Sequence, residues 1–297
     1  MKLPPLVRRA AGSADEAVEL LAEAGADGAV LAGGQSLLLD LRYGRATSTV
    51  LIDVNRAPDL AGLDVTGGEL RLAALTRHAA VERLEFDDPL GRLLGKAAPL
   101  VAHPPIRARG TFAGSLAWAH PASEWCALSR ALDARITVRS RGGQREVAAA
   151  DWFRSRFRTQ RAPDELVTGV TLPLLGAGSG VGFAEHRRTS GSFALAAVGC
   201  AVRRSGNRVT AVRIGLANAA DVPLRATDAE AALVGSDGSA DAVRAAADAA
   251  AAQADPISEP HCSAEYRRHT VRVLTERALA EALADADPEA TGEPAWT

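Results

Sequence analysis

A short apolar strand that runs directly into two glycines constrains this sequence more than any other feature. Residues 29–31 form the strand, and Gly33-Gly34 is followed by the small polar pair Gln35-Ser36. Glycine lacks a Cβ, so the backbone approaches a ligand closely and directs successive N–H groups at one anion. A tight strand-to-helix turn that uses glycine for packing has the same pattern. The spacing matches neither GxGxxG nor GxxxxGK[ST], so neither a Rossmann site nor a P-loop is indicated.

A second segment, residues 103–124, also combines glycines with small polar residues. It reads HPPIRARGTFAGSLAWAHPASE. Its prolines predict a non-helical loop over 102–115. Two small-residue loops on separate segments are suited to holding a diphosphate from opposite sides with neutral donors. The carboxylate of Glu124 has two interpretations, a ligand contact or a first-turn helix residue stabilised by the helix dipole.

The remaining pattern predicts a second half in which strands precede helices, which is typical of a segregated α+β unit. The stretch 173–180 is rich in glycine and indicates a domain boundary. Ser205-Gly206-Asn207 predicts a hairpin turn. We predict strands at 29–31, 49–54, 69–75, 135–139, 146–148, 166–172, 181–187, 193–203 and 208–217, and helices at 14–24, 77–86, 90–99, 122–133, 226–234, 239–253 and 263–285.

Composition excludes several classes of function. The chain has 34 basic and 36 acidic residues, a net charge of −2, without the excess of positive charge that nucleic-acid binders carry. No apolar run reaches the roughly 18 residues of a membrane span. The first residues lack the apolar region of a secretory signal, which predicts a cytoplasmic protein. Cys126, Cys200 and Cys262 lie too far apart in sequence to predict a disulfide framework, a structural zinc or an iron–sulfur cluster. Any redox chemistry therefore requires an organic cofactor.

Five segments, in order, resemble the FAD-binding medium subunit of molybdenum hydroxylases. They are LAGGQSLL, VLIDVNR, HPPIRARGTFAGSLAWAHPASE, FAEHRRTSGSFALAAVG and SAEYRRHTVRVLTERAL. This family includes the carbon-monoxide-dehydrogenase medium subunit and the flavin part of xanthine dehydrogenase. The resemblance extends from Pro4 to about Leu283. Each motif alone is weak evidence, but five motifs in the same order are specific.

The resemblance implies an α+β fold in two parts. Residues 1–173 are expected to form an FAD-binding domain of the vanillyl-alcohol-oxidase type, with two α/β subdomains at about 1–56 and 57–173. Residues 179–285 are expected to form the flavoprotein C-terminal domain, with a three-stranded antiparallel sheet and helices. The tail, 286–297, is acidic and contains proline and glycine, which predicts disorder.

The resemblance also implies a set of FAD-binding residues. The two diphosphate loops fall on 32–36 and 110–115, Glu124 on the adenosine side, and Leu166 and Glu185 near the flavin ring. The full expected set is Ala32, Gly33, Gly34, Gln35, Ser36, Leu37, Gly110, Thr111, Ala113, Gly114, Ser115, His120, Glu124, Leu166 and Glu185. No catalytic or metal-ligating residue is expected, because the sequence has neither a GxSxG elbow nor an HExxH pair.

Four residues depart from the family pattern, which usually has glycine at Ala113 and often has asparagine at Ala108 and aspartate at His120 and Ser192. The methyl group of Ala113 would lie where the backbone meets the phosphates and would restrict a positive φ. His120 is interpreted either as a donor to the cofactor or as a half-exposed loop histidine.

The function implied by the resemblance is electron transfer. Electrons from the iron–sulfur clusters of a partner would pass through FAD to an external acceptor. The expected partners are an iron–sulfur subunit and a molybdopterin subunit, in a heterotrimer that is commonly doubled. Two alternatives stay open: a stand-alone FAD-dependent oxidase or reductase of the same fold, and a flavin-free scaffold. Bound flavin would exclude the scaffold, and turnover of a small substrate by the isolated chain would favour the stand-alone enzyme.

Overall fold

A three-stranded sheet, a five-stranded sheet and a four-stranded C-terminal sheet organise the protein in a computed structural model that describes residues 3–289 and Trp296. The described strands are β1 (Val7–Ala10), β2 (Gly28–Leu31), β3 (Val50–Asp53), β4 (Leu63–Thr66), β5 (Glu69–Ala73), β6 (Arg135–Ser140), β7 (Gly143–Ala148), β8 (Phe153–Ser155), β9 (Arg158–Thr159), β10 (Leu166–Pro173), β11 (Gly180–Arg187), β12 (Ala194–Ser205), β13 (Arg208–Ala217) and β14 (Leu224–Arg225). The described helices are α1 (Ala14–Ala24), α2 (Leu37–Arg42), α3 (His78–Val81), α4 (Pro89–Ala97), α5 (Pro104–Arg107), α6 (Phe112–Trp118), α7 (Glu124–Ala131), α8 (Ala149–Trp152), α9 (Thr227–Leu233), α10 (Ala240–Gln253) and α11 (Ala264–Asp285).

The first sheet is parallel, with the strand order β1-β3-β2. Helix α1 begins at the predicted cap, where the hydroxyl of Ser13 accepts a hydrogen bond from the N–H of Glu16 at 3.1 Å. The apolar face of α1 packs on this sheet with the buried side chains of Val18, Leu21 and Ile52. The carboxyl end of β2 therefore delivers residues 32–37 to one edge of the sheet.

The second sheet is antiparallel, with the strand order β4-β5-β10-β6-β7. Helix α6 contacts its strands β5 and β10, and the core that α6 shares with α7 and α8 includes Phe112, Trp125 and Trp152, all fully buried. The indole N–H groups of these tryptophans both have acceptors, Nδ1 of His78 for Trp125 and the carbonyl oxygen of Leu116 for Trp152. This core fixes the position at which α6 begins, and with it the second glycine segment.

The C-terminal sheet has four antiparallel strands, β11-β12-β13-β14, rather than the three expected. The additional strand, β14, is two residues long and pairs with Gly215 and Leu216. A strand this short has no alternation of apolar and polar residues, which explains why the pattern did not reveal it. The hairpin predicted at 205–207 joins β12 to β13.

Helix α11 lies against β11 closely enough to require glycine. A Cβ on Gly180 would lie 1.9 Å from the carbonyl oxygen of Ala282, and one on Gly182 would lie 2.0 Å from that of Ala278. Two ion pairs connect α4 with α11, Arg92 with Asp285 at 3.0 Å and Lys96 with Glu281 at 2.7 Å. The same two carboxylates accept main-chain N–H groups of β11. These contacts join the first part of the chain to the second.

One prediction about an irregular segment needs correction. Pro104 and Pro105 lie in the first turn of α5, after His103 as the cap, where a missing N–H costs nothing. Of the tail predicted to be disordered, 286–297, residues 290–295 and 297 lie outside the described residues. Among the described tail residues, 287–289 are exposed, whereas Trp296 is 3% exposed and its indole N–H donates to the carbonyl oxygen of Leu175 at 2.8 Å.

Among the described residues, no helix combines the length with the apolar character that crossing a membrane requires.

Candidate functional site

A cavity of about 330 Å³ lies where the first sheet meets α6. Both predicted glycine segments line it, although about 70 residues of chain separate them. The sequence-predicted residues in its wall are Ala32, Gly33, Gly34, Gln35, Ser36, Leu37, Gly110, Thr111, Ala113, Gly114, Ser115 and Leu166. The fold therefore brings twelve of the fifteen expected residues together. His120, Glu124 and Glu185 are not part of the wall.

Gly33 is the point of closest approach between the two segments. A Cβ at this position would lie 2.5 Å from the carbonyl oxygen of Arg109 and 2.7 Å from the Cα of Gly110. Both atoms belong to the backbone, so neither can rotate away. Only glycine at position 33 allows the two segments to meet in this arrangement.

Two side chains that sequence reasoning missed hold the segments together. The amide of Asn55 donates to the carbonyl oxygen of Ala32 at 2.9 Å. The guanidinium of Arg77 donates to the side-chain oxygen of Asn55 at 2.6 Å and to the carbonyl oxygen of Arg109. Asn55 belongs to the motif VLIDVNR. The sequence around Asn55 and around Arg77 contains no pattern that predicts their hydrogen bonds to the two segments.

The first segment offers main-chain donors to the cavity. The N–H groups of Gly34, Gln35 and Ser36 donate to no acceptor in the described part of the chain. Gly34 has a φ of +71°, which turns the backbone between β2 and α2. Successive N–H groups without acceptors, in a segment that lines a cavity, are the arrangement in which backbone binds an anion.

The second segment is the first turn of a helix, not a loop. The hydroxyl of Thr111 caps α6 and accepts the N–H of Gly114 at 3.0 Å. A Cβ on Gly114 would lie 2.6 Å from that hydroxyl oxygen, so a larger residue here would displace the capping hydroxyl. Ala113 lies within α6 in right-handed helical backbone, which overturns the expectation that its methyl group restricts a positive φ.

Most charged groups in the cavity wall have partners. The carboxylate of Asp40 accepts from Arg45 at 2.8 Å and from the indole N–H of Trp118 at 2.9 Å. The carboxylate of Glu165 binds Arg145 through both oxygens, and this pairing lowers its pKa. His78 is neutral, because burial lowers its pKa to about 4. Arg161 is the remaining charged group in the wall.

An aromatic cluster lies beside the cavity and consists of Trp118, His120, Phe157 and Phe193. The ring of His120 stacks on that of Phe193, with 4.0 Å between centroids and 3° between planes. Nδ1 of His120 accepts the N–H of Ala122, and burial lowers the pKa of the ring to about 4. Trp118 alone among the four also lines the cavity. His120 is therefore a half-buried neutral ring held by its neighbours.

Glu124 and Glu185 form a buried pair outside the cavity wall. Glu124 is the first residue of α7, and Glu185 lies on β11 with a side chain that is 1% exposed. The two carboxyl groups interact, and the charge of Glu124 adds to burial in raising the pKa of Glu185. No N–H or hydroxyl group of the described residues donates to Glu185, and Arg187 lies 3.7 Å away. Burial raises the pKa of both carboxyl groups above the ordinary glutamate range.

Nothing in the described ranges, 3–289 and Trp296, groups three or more histidine, cysteine or acidic side chains as a metal ion requires. The three cysteines are buried, and none forms a disulfide.

Comparison with known proteins identifies both halves of the chain. A model of the FAD binding domain in molybdopterin dehydrogenase matches residues 9–175, and a model of the CO dehydrogenase flavoprotein C-terminal domain matches residues 182–282.

Two relatives match along nearly their whole length. Subunit alpha of the 6-hydroxypseudooxynicotine dehydrogenase complex of Paenarthrobacter nicotinovorans is 36% identical, over 97% of this chain and 98% of the relative. The carbon monoxide dehydrogenase medium chain of Hydrogenophaga pseudoflava is 34% identical, over 92% of this chain and 95% of the relative. A solved structure of the Hydrogenophaga pseudoflava carbon monoxide dehydrogenase superposes with a TM-score of 0.93 at 35% identity, over 97% of this chain and 100% of that chain.

Proposed function

Because the chain belongs to the family of FAD-binding medium subunits of molybdenum hydroxylases, we propose that its cavity holds FAD between residues 32–37 and 110–115 and that it works with two partner subunits. The chain is an FAD-binding oxidoreductase component of a dehydrogenase complex. The main support for this placement of FAD is the close contact between the two glycine segments at Gly33.

The residues of the cavity fit a dinucleotide in two respects. The free N–H groups of Gly34, Gln35 and Ser36 supply neutral donors suited to a diphosphate. Leu166, together with the small side chains of Ala32 and Ala113, supplies apolar wall. We assign the diphosphate to the cleft between the two segments. Bound FAD would supply the electron-accepting and electron-donating chemistry, while the protein binds and orients it.

We assign two domains to the chain, 1–173 for FAD binding and 179–285 as the flavoprotein C-terminal domain. The short connection between β10 and β11 supports this division, since Pro173 ends one sheet and Gly180 begins another. The contact between α4 and α11 would keep the two domains in one arrangement.

We infer that the partners are an iron–sulfur subunit and a molybdopterin subunit. The three cysteines of the sequence are buried and separate, so they cannot ligate a cluster within this chain. Two similar proteins are named as a subunit alpha and a medium chain, of a 6-hydroxypseudooxynicotine dehydrogenase complex and of a carbon monoxide dehydrogenase respectively. Electrons would then enter from the partner's clusters and leave to an external acceptor.

The variant Gly33→Ala tests the placement of FAD. Its methyl group would force the backbone of the two segments apart, and overpacking of this kind costs about 1–3 kcal/mol, or roughly a tenfold to a hundredfold loss of affinity if the cost falls on the bound state. We expect titration of the purified apo-chain with FAD to show that loss.

Gly95→Ala is the matched control, because position 95 is helical and a Cβ there meets no atom within 4 Å. It should bind FAD like the wild type. If Gly33→Ala also bound FAD with unchanged affinity, the placement of the diphosphate between the two segments would be wrong.

A further inference from the structure

Arg161 differs from the other charged groups in the cavity wall because part of its guanidinium is uncommitted. The wall contains four titratable side chains, Asp40, His78, Arg161 and Glu165. The two carboxylates have partners, and His78 is neutral, as described above. Arg161 is thus the one cation that lines the cavity among the described residues.

The guanidinium of Arg161 is anchored on one side by its own loop. Nη1 donates to the carbonyl oxygens of Ala162 at 3.0 Å, Pro163 at 3.3 Å and Glu165 at 2.8 Å. Nε and Nη2 meet no acceptor in the part of the chain that the structure describes. One edge of the planar group is therefore held in place, and the edge formed by Nε and Nη2 stays available for another acceptor.

The available edge has the geometry of a bidentate donor. Nε and Nη2 present parallel N–H groups at a spacing that suits two oxygens of a carboxylate or phosphate. Because three carbonyl groups already hold the side chain, little rotamer entropy is lost when a ligand binds. Burial of the charge lowers the pKa of Arg161, and an anion in the cavity would compensate for that desolvation.

We propose that Arg161 is a cofactor-binding residue whose guanidinium donates to the diphosphate of FAD. This inference rests on the proposed function, since it requires FAD in this cavity. The main-chain N–H groups of the first segment supply neutral donors, and Arg161 supplies the positive charge that they lack. Sequence reasoning did not select Arg161, because it lies in an irregular loop outside both glycine segments.

Binding of three probes to the apo form of the full chain tests this assignment. FAD and ADP carry the diphosphate, whereas adenosine does not. For Arg161→Gln, we expect the affinity for FAD and for ADP to fall at least tenfold, as the loss of a charge-assisted hydrogen bond requires. The affinity for adenosine should stay within about twofold. Arg161→Lys keeps the positive charge but lacks the planar, bidentate guanidinium. Its affinities for FAD and ADP should lie between those of the wild type and Arg161→Gln.

Arg158→Gln is the matched control, because Arg158 is an exposed cation of the neighbouring strand β9 that does not line the cavity. It should change none of the three affinities. Unchanged ADP binding in Arg161→Gln would overturn the proposal. So would an equal loss for ADP and adenosine, because that result would indicate a collapsed loop or a contact with the base. Failure of the wild-type chain to bind FAD would instead overturn the proposed function, and the proposal for Arg161 with it.

Discussion

At the scale of single residues, the buried pair of Glu124 and Glu185 gives the protein a specific pH dependence. The folded pair retains a proton that the unfolded chain releases near the ordinary glutamate pKa of 4.5, because burial raises both pKa values. Stability from this pair is therefore fully present below that pKa and is lost as the pH rises through the raised values. The free energy of unfolding then falls by up to about 1.4 kcal/mol per pH unit for one proton.

Glu185→Gln removes this dependence. The amide is neutral at every pH and keeps a donor for the carboxylate of Glu124, so the decline in stability between about pH 5 and pH 8 should become shallower than in the wild type. Urea unfolding across this range measures the change. Two other titratable groups interact with the pair, Arg187 on the same strand at 3.7 Å from Glu185 and Cys126 on α7, and the substitution leaves both intact.

The control for this prediction is Glu146→Gln, an exposed carboxylate whose partner is Arg135. Its stability should depend on pH as in the wild type. Parallel curves for the wild type and Glu185→Gln would show that the pair does not hold the proton.

At the scale of secondary-structure elements, the second glycine segment behaves as a helix terminus. Ala113 lies in the first turn of α6 and is 2% exposed. Ala113→Gly therefore removes a buried methyl group and lowers helix propensity, which together cost about 1–2 kcal/mol. We expect a lower melting temperature and no gain in FAD affinity. Tighter FAD binding by this variant would show that the methyl group obstructs the cofactor after all.

The longer elements were predictable, and the shorter ones were not. The strands β11, β12 and β13 and the helices α10 and α11 agree with the sequence to within about two residues, because their apolar periodicity extends over many positions. Helix α5 was missed because its prolines lie at the one place in a helix that tolerates them. Strand β14 has two residues, too few for any period.

At the scale of the whole molecule, the residue types of the two glycine segments predicted that they hold one diphosphate together, and the family resemblance assigned its loops to 32–36 and 110–115. The prediction of an FAD-binding medium subunit is confirmed. What the sequence could not predict depends on contacts between distant residues. Arg77 donates to Asn55, which lies 22 positions earlier in the sequence. Glu124, at the start of α7, interacts with Glu185 on β11. Neither contact has a local signature.

The side chains of the cavity wall distinguish the proposed function from that of a stand-alone flavoenzyme. A self-sufficient enzyme would need a substrate site and acid–base groups beside the cofactor. In the described cavity wall, the carboxylates are paired and His78 is neutral. These groups are suited to binding a cofactor, and none of them is positioned as a free proton donor or acceptor.

The most direct test of the central claim is the metal and flavin content of the tagged full chain, purified gently from its native host. As a subunit of a molybdenum hydroxylase, the chain should co-elute with iron, molybdenum and FAD in constant proportion through two separate chromatographic steps. Removal of the partners by high salt should leave FAD with the chain and iron and molybdenum with the other polypeptides. A chain that eluted alone with FAD, without iron or molybdenum, and that oxidised an organic substrate by itself would contradict the account.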